Sequence, residues 1–227
     1  MEHVTRFAAE LCGTFLLCLI AVLALAGTTT GDAGRVVASL AYGLGVVAAM
    51  HACGPVGQVH LNPAVTLAIF ATGRGSVVRV VACIAGQLLG AALAGLAAMW
   101  LLAGEGTAFG LPIGSFTKTD AVKTVFVEAV LTAVWAAAFI GSVFGAKLGP
   151  AAPVAIGLAV SAAAFAGLPY TGAALNPARA LASSLAAMEF STLWMYAIGP
   201  LAGAAVAGLL GRLLLQSAAP ESTARRA

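Results

Sequence analysis

His60-Leu61-Asn62-Pro63-Ala64-Val65-Thr66 in the first half of the chain is answered by Asn176-Pro177-Ala178-Arg179 in the second. Proline opens a helix well, because the N–H it lacks has no partner in the first turn, but it cannot continue a helix from upstream. Asn is a preferred cap immediately before that turn. Each Asn-Pro-Ala therefore reads as a helix start. Both starts are embedded in apolar sequence, so they imply helices that begin inside a bilayer, with their positive dipole ends and free N–H groups facing whatever lies there. Two such starts in corresponding places predict two half-helices meeting across a pore.

The surrounding composition supports a membrane setting. The chain has 227 residues, 61% of them hydrophobic and 8% charged, with a mean hydropathy of +1.03. A soluble domain carries roughly 25% charged residues, so this chain lacks the polar surface to face water all round. Abundant Gly and Ala fit close helix packing in lipid. The net charge of +3 is small and scattered, which argues against nucleic acid as a partner. Cys12, Cys18, Cys53 and Cys83 lie in apolar segments without CxxC or local Cys/His spacing. They read as packing residues, with no metal site and no disulfide frame. The first apolar run is too long for a signal-peptide core and reads as a retained span.

Six runs approach the ~20 apolar residues that a spanning helix needs. They fall near 7–27, 36–54, 79–103, 121–145, 152–169 and 191–215. Two shorter helical stretches, about 62–71 and 176–186, follow the motifs and reach only halfway. The expected fold is all-α: six transmembrane helices plus two re-entrant half-helices. Residues 1–103 form the first repeat, 104–120 an external connecting loop, 121–215 the second repeat and 216–227 a cytoplasmic tail.

The halves match beyond the motif. Glu10 followed by Thr14 corresponds to Glu128 followed by Thr132, and Gln87-Leu88-Leu89-Gly90-Ala91 to Pro200-Leu201-Ala202-Gly203-Ala204. Three spans per half is an odd number, so the second half enters from the opposite side. The result is an inverted 3+3 repeat with its site at the midplane. Gly86xxxGly90 and Gly199xxxGly203 recur at equivalent places and are read as packing between the two repeats. With the N-terminus inside, the inner side holds Arg6, Arg74, Arg79, Lys147, Arg212, Arg225 and Arg226. The outer side holds Arg35, Lys118 and Lys123. That excess places both termini in the cytoplasm.

Arg179 carries the sharpest chemical signal. An arginine at bilayer depth costs roughly 2.5–3.5 kcal/mol even on lenient scales, so it must face water or a partner. A guanidinium lining a water-filled constriction is favoured over a buried ion pair. There it would offer donors to a solute and repel cations. Asn62 and Asn176 are expected to tie their oxygens to the half-helix N–H groups and to aim their NH2 groups into the lumen, where the two helix ends add a barrier to cations. Glu10 and Glu128 are the only carboxylates well inside spans. A structural role, accepting re-entrant-loop N–H groups, is favoured over a proton relay. His60 reads as pore-lining or loop-bracing rather than a metal ligand, and His51 as an inner-vestibule or packing residue.

From Glu10 to about Gly211, these signatures resemble an aquaporin of the major intrinsic protein family, of the prokaryotic type. The resemblance implies a homotetramer with one pore per subunit, in the cell (inner) membrane, with passive permeation and no cofactor. Counting from the motifs places the family's aromatic/arginine constriction at Tyr42, Ala164, Ala173 and Arg179. Water-selective members usually have a histidine at the position of Ala164. Glycerol facilitators usually have two bulky aromatics and an Asp after the arginine, where this chain has Ala180. The stretch Gly57-Gln58-Val59 departs from the Ser-Gly-Ala or Ser-Gly-Gly common before the histidine. Two alanines predict a wider, partly apolar filter, in which Arg179 and the carbonyls of residues 173–175 serve hydroxyls. The expected function is a passive channel for water and small uncharged solutes such as glycerol, urea or hydroxylated metalloids, excluding ions and protons. The alternative is a strictly water-selective channel. An ion-coupled transporter would need coupling residues beyond Glu10 and Glu128, a scaffold would not need Arg179, and an enzyme would need an intramembrane catalytic cluster that the sequence lacks.

Overall fold

The computed structural model describes residues 1–27, 31–54 and 58–217. Of the sequence features named above, Gly57 and all of the tail but residues 216 and 217 lie outside this range. The described elements are α1 (Glu2–Gly27), α2 (Asp32–Cys53), α3 (Pro63–Ala71), α4 (Val77–Leu101), α5 (Ala121–Ile140), α6 (Ala152–Thr171), α7 (Pro177–Ala187) and α8 (Met195–Ser217). A π-helical turn, Gly141–Gly145, extends α5, and a 3-10 turn, Gly149–Ala151, leads into α6. Among the described residues six helices are long and apolar enough to cross a membrane, and α3 and α7 are not among them. Among the described residues there is no β-strand.

Helix ends depart from the sequence reading where polar residues act locally. α1 starts at Glu2 rather than near residue 7, because Arg6 pairs with Glu2 one turn away at 3.1 Å. α6 runs through Pro169 to Thr171 and stops at Gly172, whose φ of 77° suits a left-handed cap. α8 begins four residues late, since Ser191 N–H donates to Glu189 Oε1 at 2.7 Å and holds a turn before it.

The packing has an approximate twofold pattern. α1 packs on α4 and α5 on α8, which are equivalent pairs within each repeat. α2 crosses α6 at Gly43 and Gly157, both nineteen residues before their Asn. A Cβ at Gly43 would lie 2.1 Å from the Gly157 carbonyl oxygen, and one at Gly157 would lie 2.5 Å from that of Gly43. This crossing joins the repeats.

The glycine pairs behave otherwise than expected from sequence. Gly86 and Gly90 abut Phe7 and Leu11 of α1, while Gly199 and Gly203 abut Val125 and Ala129 of α5. They close packing within each repeat, not between repeats. Their spacing reveals a small-residue face but not the helix it meets. Between the repeats the half-helices do more: α7 packs on α4 and α3 on α8. Gly95 approaches the Ala182 carbonyl oxygen and Gly208 that of Ala68, each at 2.5 Å from the position of an added Cβ. Each half-helix is thus held mainly by the last span of the opposite half.

A Cβ at Gly203 would stand 1.8 Å from the Ala129 carbonyl oxygen. Overpacking of this kind costs about 1–3 kcal/mol or more. Gly203→Val is expected to lower the yield of monodisperse protein in detergent severalfold by size-exclusion chromatography. Gly27→Ala, where nothing lies within 4 Å, should leave it unchanged.

Candidate functional site

The two half-helices start opposite one another. Asn62 and Asn176 have matching extended backbones (φ −156° and −157°), and their Oδ1 atoms accept the N–H of Ala64 and Ala178, each at 2.9 Å. Their NH2 groups do not simply point into a lumen. Asn62 Nδ2 donates to the Leu175 carbonyl at 2.9 Å, and Asn176 Nδ2 to the Leu61 carbonyl at 2.8 Å. One hydrogen of each amide therefore locks the opposite loop, and each amide carries a second hydrogen besides. The exchange requires Leu61 and Leu175 to turn their carbonyls across the junction. Both sit at positive φ, 60° and 55°, a conformation unfavourable for a leucine unless its surroundings hold it.

The buried carboxylates supply that hold. Glu10 accepts from His60 N at 2.7 Å, Leu61 N at 2.8 Å and Gln87 Nε2 at 2.9 Å. Glu128 accepts from Thr171 Oγ1 at 2.6 Å, Ala174 N at 3.0 Å and Leu175 N at 2.7 Å. Each leucine thus has its N–H on its own repeat's glutamate and its carbonyl on the other repeat's asparagine. Pro63, Ala64, Pro177 and Ala178 occupy the first turns behind this junction, where Ala64 and Ala178 are fully buried.

His60 hangs beside the first carboxylate. Its Nδ1 is 3.1 Å from Thr66 Oγ1 and 3.6 Å from Glu10 Oε1, and its ring meets Phe139 edge-on at 5.6 Å. Thr66 Oγ1 donates to the Asn62 carbonyl and accepts from Gln87 Nε2. With the single hydroxyl proton so used, Nδ1 is the donor, and Nε2 is left as a buried acceptor with no protein partner. Cys83 lies in the same cluster: its Sγ, a His60 nitrogen and a Glu10 oxygen lie within 4.8 Å of one another. Sequence spacing concealed this Cys/His approach, since the residues come from different elements. Glu10 accepts N–H groups on both oxygens and His60 Nδ1 bonds Thr66, so both residues are tied into the network that holds the first re-entrant loop.

Arg179, one turn into α7, is wholly buried. Its Nη2 donates to the Gly110 carbonyl at 3.0 Å, an oxygen that also accepts Ser183 Oγ at 3.0 Å. Nε and Nη1 have no protein partner, and among the described residues no carboxylate pairs with this guanidinium. Gly110 belongs to the connection between the repeats, which is more than a tether. It is pinned to the end of α6 by Ser115 N–H to the Pro169 carbonyl and Phe116 N–H to that of Tyr170. The Tyr196 hydroxyl of α8 lies within hydrogen-bond reach of the Pro112 and Thr171 carbonyls, which share its one proton.

Tyr42 lies with its ring centroid 5.9 Å from the Arg179 guanidinium carbon and donates its hydroxyl to the Ala174 carbonyl at 2.7 Å. Of the carbonyls expected to serve solutes, those of Ala174 and Leu175 already accept side-chain hydrogen bonds. Ala164 and Ala173 pack in the same buried cluster as Tyr42. None of the four residues exposes more than 2% of its surface, so the two alanines do not produce an open gap. The sequence reading missed Trp135, which is buried in the same cluster and meets the Tyr42 ring edge-on at 5.9 Å. Its available signal was position: Trp100 and Trp194 flank span ends, as interfacial aromatics do, whereas Trp135 is well inside α5. On the other side of the asparagine junction a cavity of about 500 Å³ is lined by Met50, His51, Gln58, Val59, Phe139 and Val143, among others.

Opposed half-helices, an inverted six-span frame and a buried guanidinium are the build of a multi-pass membrane channel. Residues 1–210 match the family model for the major intrinsic proteins. Aquaporin Z of Rhodopseudomonas palustris is 34% identical, over 97% of this chain and 96% of that protein. Aquaporin TIP4-4 of Zea mays is 38% identical, over 89% and 83% respectively. The fold is also similar to the X-ray structure of the aquaglyceroporin from Plasmodium falciparum, with a TM-score of 0.81 at 20% identity, covering 95% of this chain and all of that one. The chain belongs to the major intrinsic protein family, which includes the aquaporins. It is a channel protein and not an enzyme.

Proposed function

We propose that this protein conducts water and small uncharged solutes bearing hydroxyl or amide groups, such as glycerol or urea, down their gradients while excluding ions and protons. The observation that carries the reading is Arg179, buried beside Tyr42 with Nε and Nη1 free of protein hydrogen-bond partners and, among the described residues, no carboxylate in direct contact with it. A guanidinium so placed offers donors to a neutral solute and repels cations. The apolar faces of Tyr42, Ala164 and Ala173 suit the carbon skeleton of such a solute. Asn62 and Asn176, each with one hydrogen left over, act as donors at the midpoint. Glu10 and Glu128 hold the loops, and His60 offers an acceptor on the inner side. We further propose a homotetramer in the cell (inner) membrane with both termini cytoplasmic, on the resemblance and the charge distribution.

A strictly water-selective pore is the second reading, favoured by the near-complete burial of the constriction residues. Stopped-flow light scattering on reconstituted vesicles separates the two. Fast shrinkage in an impermeant osmolyte and fast re-swelling in glycerol are expected. Fast shrinkage with slow re-swelling selects the water-only reading. Absence of both, with folded protein in the vesicles, overturns the channel proposal.

A further inference from the structure

α5 presents one inward face in which Glu128, Thr132, Trp135 and Phe139 recur at helical spacing, and all four are buried. Glu128 anchors the second re-entrant loop, as described above. One turn beyond Thr132, the indole of Trp135 meets the Tyr42 ring edge-on with centroids 5.9 Å apart, and Tyr42 in turn lies beside Arg179. Four residues on, about 6 Å along the axis, Phe139 meets His60 and borders the inner cavity, as does Val143. The stripe Trp135, Phe139, Val143 therefore runs along the wall of the conduit, from the arginine side of the asparagine junction to the vestibule.

Trp135 is the residue on this stripe with a polar group. Its side chain is fully buried in the cluster that holds Tyr42, Ala164, Ala173, Leu61 and Leu175. Its Nε1–H has no protein partner. A buried indole N–H nearly always finds a hydrogen-bond partner. The Tyr42 hydroxyl gives its proton to the Ala174 carbonyl and makes no bond with the indole, and Ala164 and Ala173 offer only methyls. The indole N–H is thus a buried donor without a protein acceptor.

We propose that Trp135 is a selectivity residue of this pore: its bulk fills the space that Ala164 and Ala173 leave, setting the bore, and its indole N–H donates to the oxygen of a solute passing between Arg179 and the two asparagines. The proposal rests on the channel reading above and deepens it. The donors Arg179, Trp135 and the Asn amides then form a series, followed by the His60 acceptor, so a solute oxygen released by one finds the next. Small uncharged oxygen-bearing solutes, polyols above all, fit such a series.

The test compares Trp135→Phe, which keeps most of the bulk and removes the donor, with Trp135→Ala, which removes both. Water, glycerol and erythritol permeabilities are measured in the same vesicles at matched protein density. Trp135→Ala is expected to raise the glycerol-to-water and erythritol-to-water ratios about fivefold or more. Trp135→Phe is expected to lower the glycerol-to-water ratio about fivefold, the scale of one hydrogen bond. Ratios unchanged from wild type, or moving in the same sense in both variants, overturn the proposal, because a merely structural role alters the number of working pores and not the ratio. If Trp135→Ala does not fold, Trp135→Phe decides alone: a lowered ratio supports the proposal, and an unchanged or raised one overturns it. A wild-type protein that conducts neither water nor glycerol fails the channel reading instead.

Discussion

Glu128→Ala should yield little folded protein, and Glu128→Gln should fold with a thermal midpoint in detergent lowered by roughly 10 °C. Three donors converge on this carboxylate, from Thr171, Ala174 and Leu175. Each buried donor left without a partner costs about 1–3 kcal/mol, against a total stability of about 5–15 kcal/mol. The loss extends to the backbone, since Ala173 and Leu175 both sit at positive φ and these bonds hold them there. Glutamine restores one acceptor but turns an NH2 toward a backbone N–H, hence the intermediate shift, for which ~3 kcal/mol corresponds to about 10 °C at this size. Glu10→Gln should behave alike, because Glu10 holds His60, Leu61 and Gln87 in the same fashion. A Glu128→Gln midpoint equal to that of the wild type would remove the carboxylate from its loop-holding role.

The second large effect is expected at Arg179. Arg179→Val should leave the fold intact, because the Gly110 carbonyl keeps its bond from Ser183 and valine fits an apolar lining. What disappears is the positive charge. Two unit charges 4 Å apart interact by about 4 kcal/mol at an effective dielectric of 20. The half-helix ends still oppose cations, so only part of the barrier is lost. A rise of at least about tenfold in proton or cation leak, equal to ~1.4 kcal/mol, is expected with water flow retained. The readout is collapse of a pH gradient followed by an entrapped dye in vesicles. An unchanged leak with unchanged solute flow would make Arg179 a strut for the Gly110 loop and nothing more.

Much of this architecture was legible from residue order. The paired Asn-Pro-Ala starts, the Glu10/Thr14 and Glu128/Thr132 correspondence and six apolar runs foretold six spanning helices and two half-helices. Those signals are local: caps, proline and hydropathy act within a turn or two, and symmetry only repeats them. The partners were less legible. Gly86, Gly90, Gly199 and Gly203 marked small faces whose neighbours proved to lie in their own repeat. The constriction positions came by counting from the motifs, and two alanines read alone as empty space, whereas Ala164 and Ala173 are buried in one cluster with Tyr42 and Trp135. Trp135 was overlooked because size at one position says nothing about what a residue on another helix fills.

The sequence by itself determined the membrane setting, the number of spans, the inverted repeat and where the two half-helices begin. Each follows from transfer free energy and from the caps that stop and start hydrogen-bonded turns. Only the tertiary structure decided that each half-helix rests on the last span of the opposite half. It alone decided that Leu61 and Leu175 trade carbonyls with the facing asparagines, that the Gly110 loop grips Arg179, and that Trp135 stands against Tyr42. Those pairings join residues far apart in the chain. Their geometry comes from how helices approach one another, which no local pattern encodes.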